Sequence, residues 1–190
     1  MPELFIIAGC NGAGKTTAAY NLLPEVFDTT EFINADEIAR GINKDEVESA
    51  AFAAARIMLQ RIDSLIENKQ SFAFETTLSG LTYIKIIEKA RANGFDVTLF
   101  FVYLESAAMA GDRVAFRVKK GGHHIPKDVI ERRYLKGLKN LPKYAAIVQN
   151  WYLLNNSGDK YLMIAKNIDG IKEILNFKLF KNLIADEYDK

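Results

Sequence analysis

The segment that most constrains this chain is GCNGAGKT, residues Gly9 to Thr16, which completes the pattern G-x-x-x-x-G-K-[ST]. It follows the apolar run LFII and precedes an amphipathic stretch, so a strand is expected to lead into a helix through this loop. Gly9, Gly12 and Gly14 allow the backbone to turn with successive N–H groups aimed at phosphate oxygens. Lys15 can then reach the β and γ phosphates, and the Thr16 hydroxyl can ligate Mg²⁺. The motif predicts a nucleoside-triphosphate site.

Nucleotide contacts are expected along this loop and the first helical turn, from Gly9, Asn11, Gly12, Ala13, Gly14, Lys15, Thr16 and Thr17. The helix that begins here adds the positive end of its dipole. A plain glycine-rich turn would need neither the lysine nor the hydroxyl, so that alternative explains less of the pattern. A phosphate-binding loop alone does not distinguish a switch, a motor or a kinase.

Beyond the loop, short apolar runs alternate with helical patterns, which is typical of a parallel sheet covered by helices on both faces. Candidate strands lie at 4–8, 31–34, 71–75, 97–104, 151–154 and 161–165. Several are continuously apolar, as expected for strands buried on both faces. The predicted fold class is α/β: a P-loop NTPase fold with a central parallel sheet of about five strands and a helical lid at about 106–142.

Helices are expected between these strands. Residues 46–68 carry one apolar stripe, which starts at Val47. Ser79 is expected to cap the following helix, with Gly94 as its left-handed stop. Later helix starts are predicted at Ser106 and Pro126. From Asn167 the tail alternates apolar and charged residues with a helical period, so we expect a helix there as well.

Composition bounds the class of protein. The 190 residues suit one domain, 1–190, and a net charge of +1 from 25 basic and 24 acidic residues gives no electrostatic reason to expect nucleic acid or a membrane as a partner. A single cysteine, Cys10, excludes an internal disulfide and favours the reducing cytoplasm. The run LFII is too short for a signal peptide, and no run approaches the length of a membrane span.

Asp36 follows the second candidate strand, in FINADEIARG. Ligands of open α/β sheets sit outside the carboxyl ends of the strands, so this carboxylate is expected to face the γ-phosphate. There it can accept the proton of an attacking hydroxyl. A competing role is the N-cap of a helix at 37–41, and the two roles are compatible.

Glu75 ends the next strand, in SFAFETTLSG. Motor-type P-loop proteins would end this strand in an Asp that holds Mg²⁺ through water. A Glu followed by Thr76 and Thr77 instead offers hydrogen bonds suited to a polyhydroxy acceptor. This favours an acceptor site at the strand end, and the alternative is a strand end whose Glu is simply solvated.

Basic residues concentrate in GDRVAFRVKKGGHHIPKDVIERRY. Arg113 and Arg117 are four residues apart and share one helix face, while Arg132 and Arg133 follow the Gly-Gly hinge. Guanidinium groups that close over a transferred phosphoryl group stabilise its charge, whereas a solvated basic face is the alternative. The two adjacent histidines cannot share a helix face, which argues against a zinc site.

Taken in order, AGCNGAGKTT, FINADEIARG, FETTLSG and GGHHIP…IERRY resemble the zeta-toxin-like branch of small P-loop kinases, and the likeness covers about residues 4–165. The resemblance implies a central parallel sheet, a mobile lid and the use of ATP with Mg²⁺. It also implies the acceptor of zeta toxins proper, a 3′-hydroxyl of UDP-N-acetylglucosamine. An antitoxin partner is not implied, because many chromosomal proteins of this type stand alone.

The resemblance also assigns roles by position: the phosphate clamp to Lys15, the metal ligand to Thr16, the catalytic base to Asp36, acceptor contacts to Glu75 and Thr77, and the transition-state clamp to Arg113 or Arg117. One feature departs from the family pattern. Zeta toxins proper carry a second catalytic Arg shortly before a Pro, but His123 and His124 stand before Pro126 here. Either a histidine replaces that charge, which makes His123 a candidate substrate contact, or Arg132 or Arg133 supplies it from the next helix.

The predicted function is ATP- and Mg²⁺-dependent transfer of the γ-phosphate to a hydroxyl of a small acceptor, and the resemblance implies a UDP-activated amino sugar. Two alternatives stay open. One is a nucleotide-dependent binding or switch protein with slow ATPase activity only. The other is a 5′-hydroxyl polynucleotide kinase, against which the near-zero net charge speaks, because affinity for a phosphate backbone needs a basic stripe.

Overall fold

The computed structural model describes residues 1–26, 31–43 and 49–184, and the structural statements below concern these residues. The elements in chain order are β1 (Glu3–Ala8), α1 (Lys15–Val26), β2 (Phe32–Ile33), α2 (Ala35–Ile42), α3 (Ala51–Glu67), β3 (Phe72–Thr76), α4 (Thr82–Ala92), β4 (Asp96–Tyr103), α5 (Ala107–Lys119), α6 (Lys127–Ala145), β5 (Asn150–Asn155), β6 (Leu162–Ile168), β7 (Ile171–Ile174) and α7 (Phe177–Ile184). No helix in these ranges is both long and apolar enough to cross a bilayer.

A seven-stranded sheet in the order β2-β3-β1-β4-β5-β6-β7 forms the centre of the described chain. The first five strands in that order pair in parallel, which confirms the predicted central parallel sheet. β6 and β7 extend it as an antiparallel hairpin. β1 lies between β3 and β4, with Ala8 opposite both Thr76 and Phe101. The loop that follows β1 therefore leaves from the interior of the sheet.

Helices cover both faces of the sheet. Leu4 and Ile6 belong to the largest core, which also takes buried side chains from α3, α4, α6 and α7. Phe5 and Ile7 point to the opposite face, where Ala19 of α1 packs against them. Successive residues of β1 thus enter different cores, which is why this strand is continuously apolar in sequence.

The C-terminal segment differs from the helix predicted from Asn167. β6 runs on to Ile168, and Asp169 and Gly170 then adopt positive φ values of 50° and 81°. Two consecutive residues with positive φ form the turn typical of two-residue β-hairpins, and Asp-Gly is a preferred pair for it. This local turn signal overrides the helical period, so between residues 167 and 184 the tail is helical only in α7.

Three other predicted helix ends agree with the structure. Ser106 caps α5, because its side chain accepts a hydrogen bond from the Met109 N–H at 3.1 Å. Gly94, just beyond α4, has a φ of 85°. Pro126 stands directly before α6. Val47, at the start of the predicted stripe on α3, lies outside the described residues.

Ser79 does not cap α4, contrary to the prediction. The helix begins at Thr82 and has no side-chain cap. The Ser79 hydroxyl is instead 2.9 Å from the hydroxyl of Thr77, so these two residues belong to one turn of the β3–α4 loop, residues 77–81. The consequence is a polar loop at the carboxyl end of β3.

Candidate active site

Polar residues follow β1, β2 and β3 at the point where each strand ends. β1 leads into residues 9–16, hereafter the P-loop; Asn34 and Asp36 follow β2, and β3 ends with Glu75 and Thr76. These strands are neighbours in the sheet and run in parallel. Because parallel strands end at the same edge, the three groups converge on one cleft.

The P-loop is packed tightly against β4 and α5. Gly9, Gly12 and Gly14 have φ values of 140°, 78° and 89°, in the region that favours glycine. A Cβ at Gly9 would overlap the Val102 carbonyl oxygen, and one at Gly12 would lie 2.7 Å from the Ala110 carbonyl oxygen. Backbone conformation and space both require glycine here, which is the physical basis of the motif.

Lys15 is nearly buried, with 6% of its side chain exposed, and its ammonium group lies between two oxygens. Nζ donates to the Cys10 carbonyl oxygen at 2.9 Å and lies 3.3 Å from Glu75 Oε1. Glu75 Oε2 accepts hydrogen bonds from Thr16 Oγ1 at 2.6 Å and from Asn34 Nδ2 at 3.1 Å. With both oxygens engaged, Glu75 is not a solvated strand end. It connects β3 to the P-loop.

The oxygens around Thr16 suit a divalent cation bound together with phosphates. Mg²⁺ takes oxygen ligands and is usually held by one or two carboxylates plus substrate phosphates. Thr16, Glu75 and Asp36 line one cavity, and all three offer oxygen atoms. The described residues contain no group of three or more His, Cys, Asp or Glu side chains placed to hold a metal. The oxygens present fit an ion that bound phosphates also hold.

Asn34, rather than Asp36, caps α2. Its Oδ1 accepts a hydrogen bond from the Asp36 N–H at 2.8 Å. Asp36 lies in the first turn of the helix, and its side chain faces the cleft. The alternative role of Asp36 as a helix cap is therefore wrong.

Two cavities meet at the P-loop. The first, of about 190 Å³, is named here the P-loop cavity and is lined by Asn11, Gly12, Gly14, Lys15, Thr16, Thr17, Asp36, Glu75, Arg113 and Arg117. The second, of about 230 Å³, is named the β3-side cavity and is lined by Asn11, Lys15, Asn34, Ala35, Asp36, Glu75, Thr76, Thr77, Ser79, Gly80, Tyr83 and Arg133. Asn11, Lys15, Asp36 and Glu75 line both, so these four residues lie at the boundary.

Hydroxyl and amide groups dominate the part of the β3-side cavity that faces away from the P-loop. Thr77 lies there as predicted, but Asn34, Ser79 and Tyr83 were not foreseen. The Tyr83 ring stacks on Phe74 with 4.8 Å between ring centroids, which anchors this wall in the core. Ser79 and Tyr83 reach the cavity because the β3–α4 loop turns back, and no sequence signal marks that turn.

The basic residues of the predicted lid separate in space. Arg113 and Arg117 line the P-loop cavity, whereas Arg133 lines the β3-side cavity and donates to Asn11 Oδ1 at 3.3 Å. Arg132 is exposed and lines neither cavity. The side chain of His123 lines neither cavity either, and its carbonyl oxygen accepts from Arg117 at 3.4 Å. The cation that follows the hinge and reaches the cleft is Arg133.

Helix α6 holds the β3–α4 loop in place. Asn140 Nδ2 donates to the Leu78 carbonyl oxygen at 2.8 Å. The Tyr144 hydroxyl donates to the Gly80 carbonyl oxygen at 2.7 Å, and burial raises the pKa of Tyr144 to about 12. Gly137 permits the close approach, since a Cβ there would lie 2.6 Å from a backbone oxygen of the same loop. Leu78 has a φ of 53°, an uncommon value outside glycine, and these contacts hold it there.

Cys10 is buried inside the P-loop, with 6% exposure. Burial raises the pKa of its thiol, although Lys15 and Arg113 act in the opposite direction. A buried thiol that stays protonated is a packing residue rather than a nucleophile.

Comparison with known proteins connects this cleft to a family. Residues 1–167 match the family described as Zeta toxin. An uncharacterized protein of Haemophilus influenzae is 33% identical over 128 residues, which are 66% of this chain and 88% of that protein.

Solved structures share the fold. The AvrRxo1-ORF1:-ORF2 complex with ATP has a TM-score of 0.77 at 19% identity; the match covers 96% of this chain and 63% of that one, so this chain spans less than two thirds of its length. The PezAT chromosomal toxin-antitoxin system of Streptococcus pneumoniae has a TM-score of 0.74 at 15% identity, over 98% and 80% of the two chains. A gluconokinase from Sinorhizobium meliloti has a TM-score of 0.52 at 13% identity, over 83% of each.

The structural matches confirm the predicted α/β P-loop kinase fold. Together with the family match, they confirm the prediction of a P-loop kinase, that is, of a nucleotide-dependent phosphotransferase. Because the match to the family extends over residues 1–167 of 190, the chain belongs to the zeta toxin family.

Proposed function

We propose that the chain transfers the γ-phosphate of ATP, in the presence of Mg²⁺, to a hydroxyl group of a small acceptor. The observation that carries this proposal is the boundary between the two cavities. Asn11, Lys15, Asp36 and Glu75 line both of them, with the P-loop on one side and a wall of hydroxyl and amide groups on the other. A donor phosphate and an acceptor hydroxyl can therefore meet beside the Asp36 carboxylate and the Lys15 ammonium group, while Glu75 is engaged by Lys15, Thr16 and Asn34.

Asp36 is the proposed general base. It accepts the proton of the acceptor hydroxyl while the new O–P bond forms and the bond from the γ-phosphorus to the ADP oxygen breaks. Lys15 offsets the charge of the β and γ phosphates, and Arg113 and Arg117 face the same cavity from α5. Mg²⁺, when bound, would neutralise charge on the phosphate oxygens, with Thr16 and Glu75 as its neighbours on the protein.

For the acceptor, we propose a UDP-activated amino sugar as the first candidate, on the strength of the family resemblance. The side chains of Thr77 and Ser79 offer hydroxyl groups to a polyhydroxy ring. Arg133 adds a cation at the same cavity, which suits an anionic group such as a diphosphate. ATP as the donor is supported by the AvrRxo1 neighbour, which was solved with ATP.

A protein partner and a cytoplasmic location are two further proposals for this chain. The Streptococcus pneumoniae neighbour belongs to a toxin-antitoxin system, which supports a search for a small protein partner of this chain by co-purification from the native host. The single cysteine supports a cytoplasmic location, and immunoblotting of the separated cytoplasmic and membrane fractions of the native host would test it.

The direct test of function uses the purified chain with labelled ATP, Mg²⁺ and UDP-N-acetylglucosamine. We expect a product heavier by one phosphate group, detected by mass spectrometry. Asp36→Asn should lower kcat by about 10²- to 10⁴-fold, the usual contribution of a general base. Asp63→Asn is the matched control, because Asp63 is an exposed carboxylate paired with Lys89.

A metabolite extract, incubated in the same way, extends the test to acceptors other than sugar nucleotides. ATP turnover that stays at background with every acceptor, and that Asp36→Asn leaves unchanged, would contradict the proposed function. A labelled product from the extract, without one from the sugar nucleotide, would contradict only the proposed acceptor.

A further inference from the structure

The connection between β5 and β6 contacts the P-loop from outside the cleft. Asn156 Nδ2 donates to the Ala13 carbonyl oxygen at 2.8 Å, and the Tyr161 hydroxyl donates to the Gly14 carbonyl oxygen at 2.9 Å. Both donors also pack against Gly14, where a Cβ would lie 2.7 Å from Asn156 Nδ2 and 2.8 Å from the Tyr161 hydroxyl oxygen. Neither residue lines the P-loop cavity. Their contacts therefore do not reach a bound phosphate directly.

Peptide geometry gives these two hydrogen bonds a consequence inside the cleft. A trans peptide unit is planar, and its C=O and N–H groups point in opposite directions. The Ala13 carbonyl shares a peptide unit with the Gly14 N–H, and the Gly14 carbonyl shares one with the Lys15 N–H. A donor that holds each oxygen from outside thus helps to orient the opposite N–H, and the Gly14 oxygen also accepts a hydrogen bond from the Ala18 N–H of α1 at 2.9 Å. Gly14 and Lys15 both line the P-loop cavity, where such N–H groups bind phosphate oxygens.

The β5–β6 connection is itself anchored on the end of β4. The Asn156 N–H donates to the Tyr103 carbonyl oxygen at 3.0 Å, and the Ser157 hydroxyl accepts from the Glu105 N–H at 2.9 Å. Ser157 also donates through its hydroxyl to Asn155 Oδ1 at 2.7 Å. β4 is the direct neighbour of β1, so the connection and the P-loop are fixed to adjacent strands of one sheet.

We propose that Asn156 and Tyr161 are positioning residues of the phosphate site, which aim the Gly14 and Lys15 N–H groups at the phosphates without touching them. This inference rests on the proposed nucleotide site. Burial raises the pKa of Tyr161, so its hydroxyl stays a donor at neutral pH. Hydrogen bonding to the carbonyl oxygen also polarises the peptide unit and strengthens the donor on its other side.

The test measures binding by isothermal titration calorimetry with two probes, Mg-ATP and inorganic tripolyphosphate, which shares the phosphates but lacks the base and sugar. Tyr161→Phe removes one hydroxyl and keeps the ring, and Asn156→Ala removes the amide. For each variant, we expect both probes to bind about three- to ten-fold more weakly, by the same factor, as the loss of one hydrogen bond predicts.

Matched controls remove equivalent hydrogen bonds elsewhere. Tyr134→Phe deletes a hydroxyl that donates to the Leu104 carbonyl oxygen at 3.0 Å, and Asn167→Ala deletes an amide that donates to the Gln149 carbonyl oxygen at 3.2 Å. We expect a similar loss of thermal stability from these controls but unchanged affinity for both probes. A stability loss without an affinity loss is what a purely structural residue produces.

Three outcomes would overturn the inference. Unchanged tripolyphosphate affinity in Tyr161→Phe is the first, and this variant decides alone if Asn156→Ala fails to fold. A loss confined to ATP is the second, because it would indicate contact with the base or sugar. The third is wild-type protein that binds neither probe, which would contradict the nucleotide site itself. If the wild type binds both probes, Lys15→Ala abolishes that binding and Tyr161→Phe has no effect, the nucleotide site is supported and only this inference is contradicted.

Discussion

Replacing Gly137 with alanine tests whether α6 fixes the wall of the β3-side cavity. The residue lies inside a helix, where alanine is favoured over glycine by about 0.8–1 kcal/mol. The added Cβ, however, would lie 2.6 Å from the Thr77 carbonyl oxygen. That oxygen belongs to the backbone of the β3–α4 loop, so it cannot be moved aside by a rotamer change.

The magnitude follows from this geometry. An ordinary contact begins near 3.4 Å, so the loop must retreat by about 0.8 Å from a separation of 2.6 Å. Overpacking of this kind costs about 1–3 kcal/mol, which the helix preference offsets only in part. We expect a net destabilisation of about 1 kcal/mol, or a fall in Tm of about 2–4 °C for a chain of this size.

The matched control is Gly111→Ala in α5, a helical glycine around which an added Cβ would find no atom within 4 Å. There the helix preference is unopposed, so we expect Tm to rise by about 2–4 °C. Differential scanning calorimetry of the two variants should therefore give shifts of opposite sign. Steady-state kinetics should show a raised KM for the acceptor in Gly137→Ala, with the KM for ATP unchanged, because the atoms within 4 Å of the added Cβ belong to Thr77.

A stabilising effect of Gly137→Ala, equal to that of Gly111→Ala, would refute this reasoning. It would mean that the β3–α4 loop yields without cost and that α6 does not set the position of Thr77. A destabilised variant whose KM rises equally for ATP and for the acceptor would refute the functional part only.

Two further predictions concern charge. Glu75→Gln keeps the shape of the side chain but removes the charge next to Lys15. We therefore expect activity to require a higher Mg²⁺ concentration and to fall by about 10- to 100-fold. An unchanged dependence of activity on Mg²⁺ concentration would contradict this. Tyr144 has a pKa of about 12 in the folded chain and about 10 when unfolded, so the unfolded state loses its proton first as the pH rises. The contribution of Tyr144 to the free energy of unfolding is therefore present below pH 10 and is lost as the pH rises towards 12. The free energy of unfolding, measured with urea between pH 10 and 12, should depend less on pH in Tyr144→Phe than in the wild type.

The P-loop and the sheet were predictable because their signals are local. The motif spans residues 9–16, and its three glycines occupy positions with positive φ, which glycine adopts most readily. Asp36 and Glu75 could be placed because each follows a recognisable apolar run and parallel strands end at one edge. The coarse site therefore follows from chain order and strand direction.

The remaining features depend on contacts between distant segments. Asn156 and Tyr161 meet the P-loop across 143 and 147 residues of sequence, and no periodicity announces such a contact. His123 was a candidate substrate contact because it stands near Pro126 in sequence. Arg133 reaches the cleft instead, because its position on α6 directs its side chain towards Asn11. The prediction of a helix from Asn167 was wrong for another reason. The Asp169-Gly170 turn favours a hairpin more strongly than the helical period of the following residues favours a helix.

The placement of α6 divides the region that the sequence presents as one lid. The C-terminal half of this helix contributes Leu141 and Tyr144 to the largest core, and both are fully buried. A rigid swing of the whole segment would pull these side chains out of the core and break the bonds to residues 78 and 80. Ala110 and Val114 of α5 are buried as well, in one cluster with Cys10 and Ala13 of the P-loop. The backbone that carries Arg113 and Arg117 is therefore fixed to the phosphate loop, as the acceptor wall is fixed to α6, and the two arginines can adjust to a nucleotide by rotation of their side chains.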